Sequence, residues 1–146
     1  MQFSDKGISL LKTLEGFRGK PYPDSGGKMT VGYGHLIIPG DGVVLQDIID
    51  PVKGTELLCN DIKRTVAGVN NCVTSTITQN QFDALVVFAY NVGVTAFSKS
   101  TLLRMLNMGD VDGAYKQFLK WDMVGKDHIP GLLNRRLAEQ ALFLGK

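Results

Sequence analysis

Three residues near the start of the chain could share one reaction. Glu15 is a carboxylate, Asp24 is a second carboxylate nine residues on, and Thr30 is a hydroxyl six beyond that. A Gly32-Tyr33-Gly34-His35 corner follows. A proton donor, a base and a water-holding hydroxyl, gathered by a turn, suit hydrolysis of a glycosidic bond. Taken singly, each residue has a plainer reading. A lone Glu is most often a solvated surface residue. Asp24, in Pro23-Asp24-Ser25-Gly26-Gly27, is a typical turn residue, and Thr30 is an ordinary strand residue. Only the combination points to chemistry.

The elements that must position these groups can be read from periodicity and caps. Ser4 is placed as a helix N-cap, with Phe3 and Ile8 as a hydrophobic staple. Ile8, Leu10, Leu11 and Leu14 form a helical stripe, and Gly16 can end the helix. Glu15 then sits in the last turn, at the negative end of the helix dipole, where a helix built only for stability would carry Lys or Arg. Gly19 to His35 reads as a small β-structure punctuated by Pro21, Pro23, Gly26 and Gly27, with a short strand at Met29-Thr30-Val31. Residues 37–49 read as loop. Asp50-Pro51 is an N-cap followed by Pro at the first helical position. Leu58, Ile62, Val66 and Val69 then mark a long helix to about Asn70.

The remainder reads as helical. Thr78 and Gln81 form a capping box, and Phe82, Leu85, Val86, Phe88, Ala89 and Val92 make a helix apolar on nearly every side, hence buried. Ser100 caps a short helix that Gly109 closes. Asp110 caps another, carrying Ala114, Phe118 and Trp121. A loop with Gly125 and His128 leads to a last helix from near Pro130 to Leu144, with Leu133, Leu137, Ala141 and Leu144 on one stripe.

Composition narrows the class. The 146 residues suffice for one domain with a real core, and 44% hydrophobic with 21% charged residues is ordinary for a soluble globular chain. Eight of the 17 glycines fall between Gly16 and Gly42, which marks that segment as turn-rich. The net charge of +2 is too weak to argue for nucleic acid. Cys59 and Cys72 are too few for a disulfide scaffold and read as buried free thiols, although a single bridge stays open. No pair among the two Cys and two His has zinc-ligand spacing, so neither a metal nor another cofactor is expected. The N-terminus lacks a signal-peptide pattern and no apolar run is long enough to span a bilayer. The expectation is a chain made and kept in the cytoplasm, without integral membrane contact.

Several segments together carry a family resemblance. Glu15, Asp24 and Thr30 have the spacing of the catalytic triad of phage-type lysozymes, endolysins of glycoside hydrolase family 24. The Gly32-Tyr33-Gly34-His35 corner, Gln79 to Leu85, Asn91-Val92-Gly93 followed by Phe97, and Gly131-Leu132-Leu133-Asn134-Arg135-Arg136 with Glu139 resemble that family in the same order. The resemblance covers about Phe3 to Leu144. It implies a mainly α (α+β) lysozyme-like fold. A small N-terminal β-hairpin lobe (about 15–50) would be joined by a connecting helix (51–70) to a helical lobe (1–14 and 70–146), with an active-site cleft between the lobes.

The resemblance also implies hydrolysis of the β-1,4 bond between N-acetylmuramic acid and N-acetylglucosamine in peptidoglycan, for host lysis. Glu15 would be the general acid, Asp24 the base or electrostatic stabiliser, and Thr30 the water holder. Inversion at the sugar would need the two carboxylates roughly 6.5–9.5 Å apart. Leu36, Tyr90, Ser100 and Arg136 align with substrate-binding positions. Tyr90 also has a physical reason, since a ring can stack on a sugar face. As single residues Leu36 and Ser100 are explained by packing and capping. Arg135 and Arg136 could equally pair with Glu139 on an exposed helix face. His35 reads as a structural hydrogen-bonding residue. The implied partners are glycan strands and a holin that releases a monomeric enzyme to the wall. The competing readings are a lytic transglycosylase and a non-catalytic wall-binding module.

Overall fold

The computed structural model describes residues Met1–Lys146. The chain divides into two compact units, Ser9–Lys63 and Met1–Ile8 with Arg64–Lys146. The first unit begins within the first helix and ends within the long one.

In the first unit α1 (Asp5–Glu15) ends where the motif requires. The Gly16 amide donates to the Lys12 carbonyl (3.0 Å) from a left-handed backbone, φ +71°, a conformation a side chain would oppose. Three antiparallel strands follow: β1 (Arg18–Pro23), β2 (Met29–Gly32) and β3 (His35–Leu36), in that spatial order. The expected hairpin is thus a meander. Its third strand is two residues long, too short to leave a periodic signal. Register pairs Tyr22 with Thr30 and Thr30 with Leu36, so these three share one face. The neighbouring pair, Val31 and His35, turns to the other face. There Val31 packs with Val43, Leu57, Ile37 and Ile49.

The corner between β2 and β3 is held from α2 (Pro51–Cys72), which starts on the expected cap: Asp50 Oδ1 accepts the Lys53 amide at 2.8 Å. Gly54 on α2 lets Phe17 and Tyr33 close in, because a Cβ there would meet the two rings at 2.9 and 3.2 Å. Those rings lie 5.2 Å apart.

The second unit is built on α3 (Gln79–Val92), whose capping box is formed and whose residues Phe82–Ala89 are all buried. The Ser4 side chain, at the N-cap of α1, and its backbone amide both bond the buried Asp83 carboxylate. A short helix, α4 (Val94–Ser98), precedes α5 (Thr101–Asn107). The helix capped by Asp110, α6 (Val111–Gln117), stops short of Phe118, which a 3-10 turn (Phe118–Lys120) carries. The tighter turn aims Phe118 and Trp121 at Phe88, with ring centroids 5.3 and 5.4 Å away. The expected loop around Gly125 is a two-stranded hairpin, β4 (Met123–Val124) and β5 (Asp127–His128).

The last helix, α7 (Pro130–Phe143), reverses its expected stripe. Leu133, Leu137 and Leu144 are 38%, 46% and 52% exposed. The buried side carries Arg135, Arg136, Glu139, Gln140, Leu142 and Phe143. Paired charges and amides fill the interior there, so a count of leucines picks the wrong face. Both cysteines are free, and each is half-buried, not sealed in the core.

Candidate active site

Asp24 directly follows β1, at the start of the first turn. Its Oδ1 accepts the amides of Gly26 and Lys28, both at 2.9 Å, and its backbone closes the turn through Asp24 N–H to Lys28 O (2.8 Å) and Gly27 N–H to Asp24 O (2.9 Å). Both readings of Asp24 are therefore realised in one residue. One oxygen builds the turn, and Oδ2 belongs to an exposed side chain with no bonded partner.

Thr30 lies on the same strand pair. Lys28 stands opposite Asp24 and Thr30 is two residues further, so Asp24 and Thr30 are diagonal neighbours on one face, about 7–8 Å between backbones. The Thr30 hydroxyl donates to the Lys28 carbonyl at 3.1 Å. Its proton is committed, so toward a water this oxygen acts as an acceptor. Leu36, directly across from Thr30, is 41% exposed and extends that face.

Glu15, half-buried at the end of α1, meets the β2–β3 corner. A Cβ on Gly34 would stand 3.4 Å from Glu15 Oε2. Gly34 has φ +82° and Gly32 φ +67°. The Gly-Tyr-Gly spacing thus serves two ends: it makes the turn, and it lets the carboxylate lie against bare backbone.

Behind the corner stands a buried charged group that sequence reasoning placed only in outline. His35 bonds Asp61 on α2 through Nδ1 and Asp41 in the following loop through Nε2, both at 2.8 Å. Asp41 in turn accepts the amides of Ile38 and Val43 at 2.9 Å. Burial alone would lower the His35 pKa. The hydrogen bonds to Asp41 and Asp61 and their charges outweigh it, and the net direction is up. Asp41 is held at about 2, chiefly by the Ile38 amide and then by His35 and the Val43 amide. His35 has the structural role its sequence context suggests. Asp41 and Asp61 had no signal beyond their being acids, because their pairing is a matter of tertiary approach.

Of the other expected substrate contacts, Tyr90, Ser100 and Arg136 belong to the helical unit. Ser100 is buried, and its hydroxyl is used on both sides, donating to Phe97 O (2.7 Å) and accepting the Leu103 amide (3.1 Å) to cap α5. Tyr90 is half-buried at the end of α3. Arg136 exposes no surface. Its guanidinium meets both oxygens of Glu139 (2.8 and 3.0 Å), donates to Asn91 Oδ1 (2.7 Å) and lies 5.0 Å from the centre of the Phe88 ring. Arg136, expected at the sugar, is enclosed on every side by these partners. The alternative pairing with Glu139 is what occurs, on a buried rather than an exposed side. Burial pushes the Glu139 carboxyl up, to about 7, against the pull of Arg136 and Arg135, and the same burial pushes Arg136 down.

A family model, Phage lysozyme, matches residues 12–139. The chain belongs to the phage lysozyme family. It is 41% identical over 147 residues to the endolysin of Acyrthosiphon pisum secondary endosymbiont phage 1, with 98% of each chain covered. To the endolysin of Bacillus phage PZA it is 43% identical over 98% of its own length, spanning about half (55%) of that longer protein. A crystal structure of a mutant P22 lysozyme superposes with a TM-score of 0.90 at 41% identity, covering 99% of both chains. The lysozyme-like fold expected from the sequence is the fold observed. With this family comes lysozyme (muramidase) activity, and the substrate of a phage endolysin is bacterial peptidoglycan.

Proposed function

We propose that Glu15, Asp24 and Thr30 carry out the cleavage of the β-1,4 bond between N-acetylmuramic acid and N-acetylglucosamine. Glu15, protonated, gives its proton to the leaving glycosidic oxygen. A water attacks C1 of the muramic sugar and yields one proton to Asp24 Oδ2. Its other hydrogen is held by the Thr30 hydroxyl oxygen, which leaves a lone pair directed at the sugar. The observation that carries this reading is the Thr30 hydroxyl: its own proton is spent on Lys28 O, so it can only accept from the water. The unpartnered Oδ2 of Asp24 on the same sheet face supports it. Because water and leaving group lie on opposite faces of the sugar, the product is the inverted anomer.

The measurement is product analysis on purified peptidoglycan. New reducing muramic ends, α at the first time point by NMR, should come from the native sequence and be lost in Glu15→Gln by roughly 10²–10⁴-fold. Anhydro-muramic ends would instead make the chain a transglycosylase, and binding without cleavage a wall-binding module. A product retained as β would remove the inversion.

The chain further acts as a monomer and reaches the wall through a lesion made by a holin. No helix is long and apolar enough to cross a membrane, which fits release by a separate agent. Lysis that persists when hole formation is blocked would contradict that route, and a dimer in analytical ultracentrifugation would contradict the monomer.

A further inference from the structure

We propose that a groove beside Leu36 receives the peptide stem carried by the muramic acid lactyl group, a reading that rests on the Asp24–Thr30 face being the site of cleavage. The groove, of about 650 Å³, is lined by Leu36, Ile38, Val44 and Leu45, with Lys28 and Gln46 among its few polar residues. Ile38, Val44 and Leu45 are each more than half exposed. Clustered apolar side chains on a surface mark a place where something binds.

They are presented by an ordered loop. Asp41 accepts the Ile38 and Val43 amides and is anchored to His35, and Asp47 accepts the Val44 amide at 3.2 Å. The loop's carboxylates are thereby spent on its own backbone, and the apolar side chains are held outward in a preformed arrangement.

The occupant follows from position and chemistry. The groove is continuous with the cleavage face: Leu36 lies opposite Thr30 in register, and the backbone of Lys28 is bonded to Asp24. A ligand over Thr30 extends into it over Leu36. A sugar is a poor fit, because its hydroxyls would face a mainly apolar wall without partners. The peptide on muramic acid offers what the wall lacks: alanine methyls for Ile38, Val44 and Leu45, and carboxylates for Lys28, the only cation in the lining.

The test uses the full-length Glu15→Gln protein, so that the polymer stays whole. Its binding to insoluble sacculi is measured by co-sedimentation, on intact sacculi and on sacculi whose stems an amidase has removed. The expected result is weaker binding to the stripped polymer. Adding Val44→Ser with Leu45→Ser should weaken binding to intact sacculi about tenfold and leave binding to stripped sacculi within about twofold. Both side chains are exposed, and an unchanged near-ultraviolet dichroism spectrum will show that the fold is kept. Equal loss on both polymers, or no loss on either, would overturn the proposal. So would loss of phospholipid-vesicle binding or of self-association with the sacculus ratio unchanged, which would give the groove to a membrane or to a second copy. Hydrolysis by Glu15→Gln at close to the native rate would sink the cleavage reading separately.

Discussion

Asp24 and Glu139 are both carboxylates held by N–H donors, and their surroundings are opposite. Asp24 is exposed at the start of a turn, and its donors are backbone amides that both take Oδ1. Glu139 is fully buried, and the Arg136 guanidinium takes both its oxygens. The first arrangement keeps one oxygen available to a reactant. The second keeps none, and its value lies in cancelling a buried cation. An arginine beside a glutamate in an active-site family invites a catalytic reading, yet here the exposed, half-satisfied carboxylate is the one suited to chemistry.

The contrast can be broken most severely at the two glutamates. Glu15→Gln should remove activity by roughly 10²–10⁴-fold and leave the unfolding midpoint near native. Glu139→Gln should do the reverse. It puts an amide N–H₂ in place of one of the oxygens that accept from Arg135 and Arg136, and the buried donors left unsatisfied should cost about 1–3 kcal/mol, while activity per folded molecule stays largely intact. Urea denaturation beside specific activity separates the two, and a stable but inactive Glu139→Gln would reverse the assignment.

A pH series sharpens the same point at His35. Its pKa is raised in the fold, so its stabilising contribution is complete below about 6.5 and is lost as pH rises through the folded value. Glu139 acts in the same direction at lower pH. A carboxyl raised from 4.5 to about 7 binds extra protons in the folded state, so stability falls as pH climbs between those values. Asp41, held at about 2, acts oppositely, losing its contribution as pH falls below 3.8. The urea midpoint should therefore decline from pH 5 to 8, and His35→Gln should flatten the upper part of that decline. A parallel decline in the variant would mean that His35 does not titrate in the window.

A smaller effect separates two glycines. Gly16→Ala and Gly34→Ala both force an alanine to positive φ, at about 1–2 kcal/mol each. Nothing lies within 4 Å of a Cβ at Gly16, whereas one at Gly34 would touch Glu15 Oε2. Activity corrected for folding should fall only for Gly34→Ala. Least of all, Leu137→Ser should change stability by under about 0.5 kcal/mol despite its place in an apolar helical pattern, because its side chain faces solvent. A cost of several kcal/mol would mean that α7 buries its leucines after all.

Much of this was present in the chain as written. Caps and breakers act through neighbours three or four residues away, so Gly16, Asp50-Pro51, Thr78 with Gln81, Ser100 and Asp110 mark where helices start or stop without reference to anything distant. The spacing of Glu15, Asp24, Thr30 and the glycine corner is local too, and it carried the family. What the sequence left open depends on which surfaces meet. The short third strand exists only because it pairs with β2. The 3-10 turn at Phe118 exists to meet Phe88. His35 finds Asp41 and Asp61 only once the loop and α2 are packed. On α7 the choice between a leucine stripe and an Arg-Glu-Gln stripe turned on whether buried charges could be paired. That pairing needs Asn91 and the Phe88 ring from α3, some 45 residues away in the chain, and no local pattern can supply it.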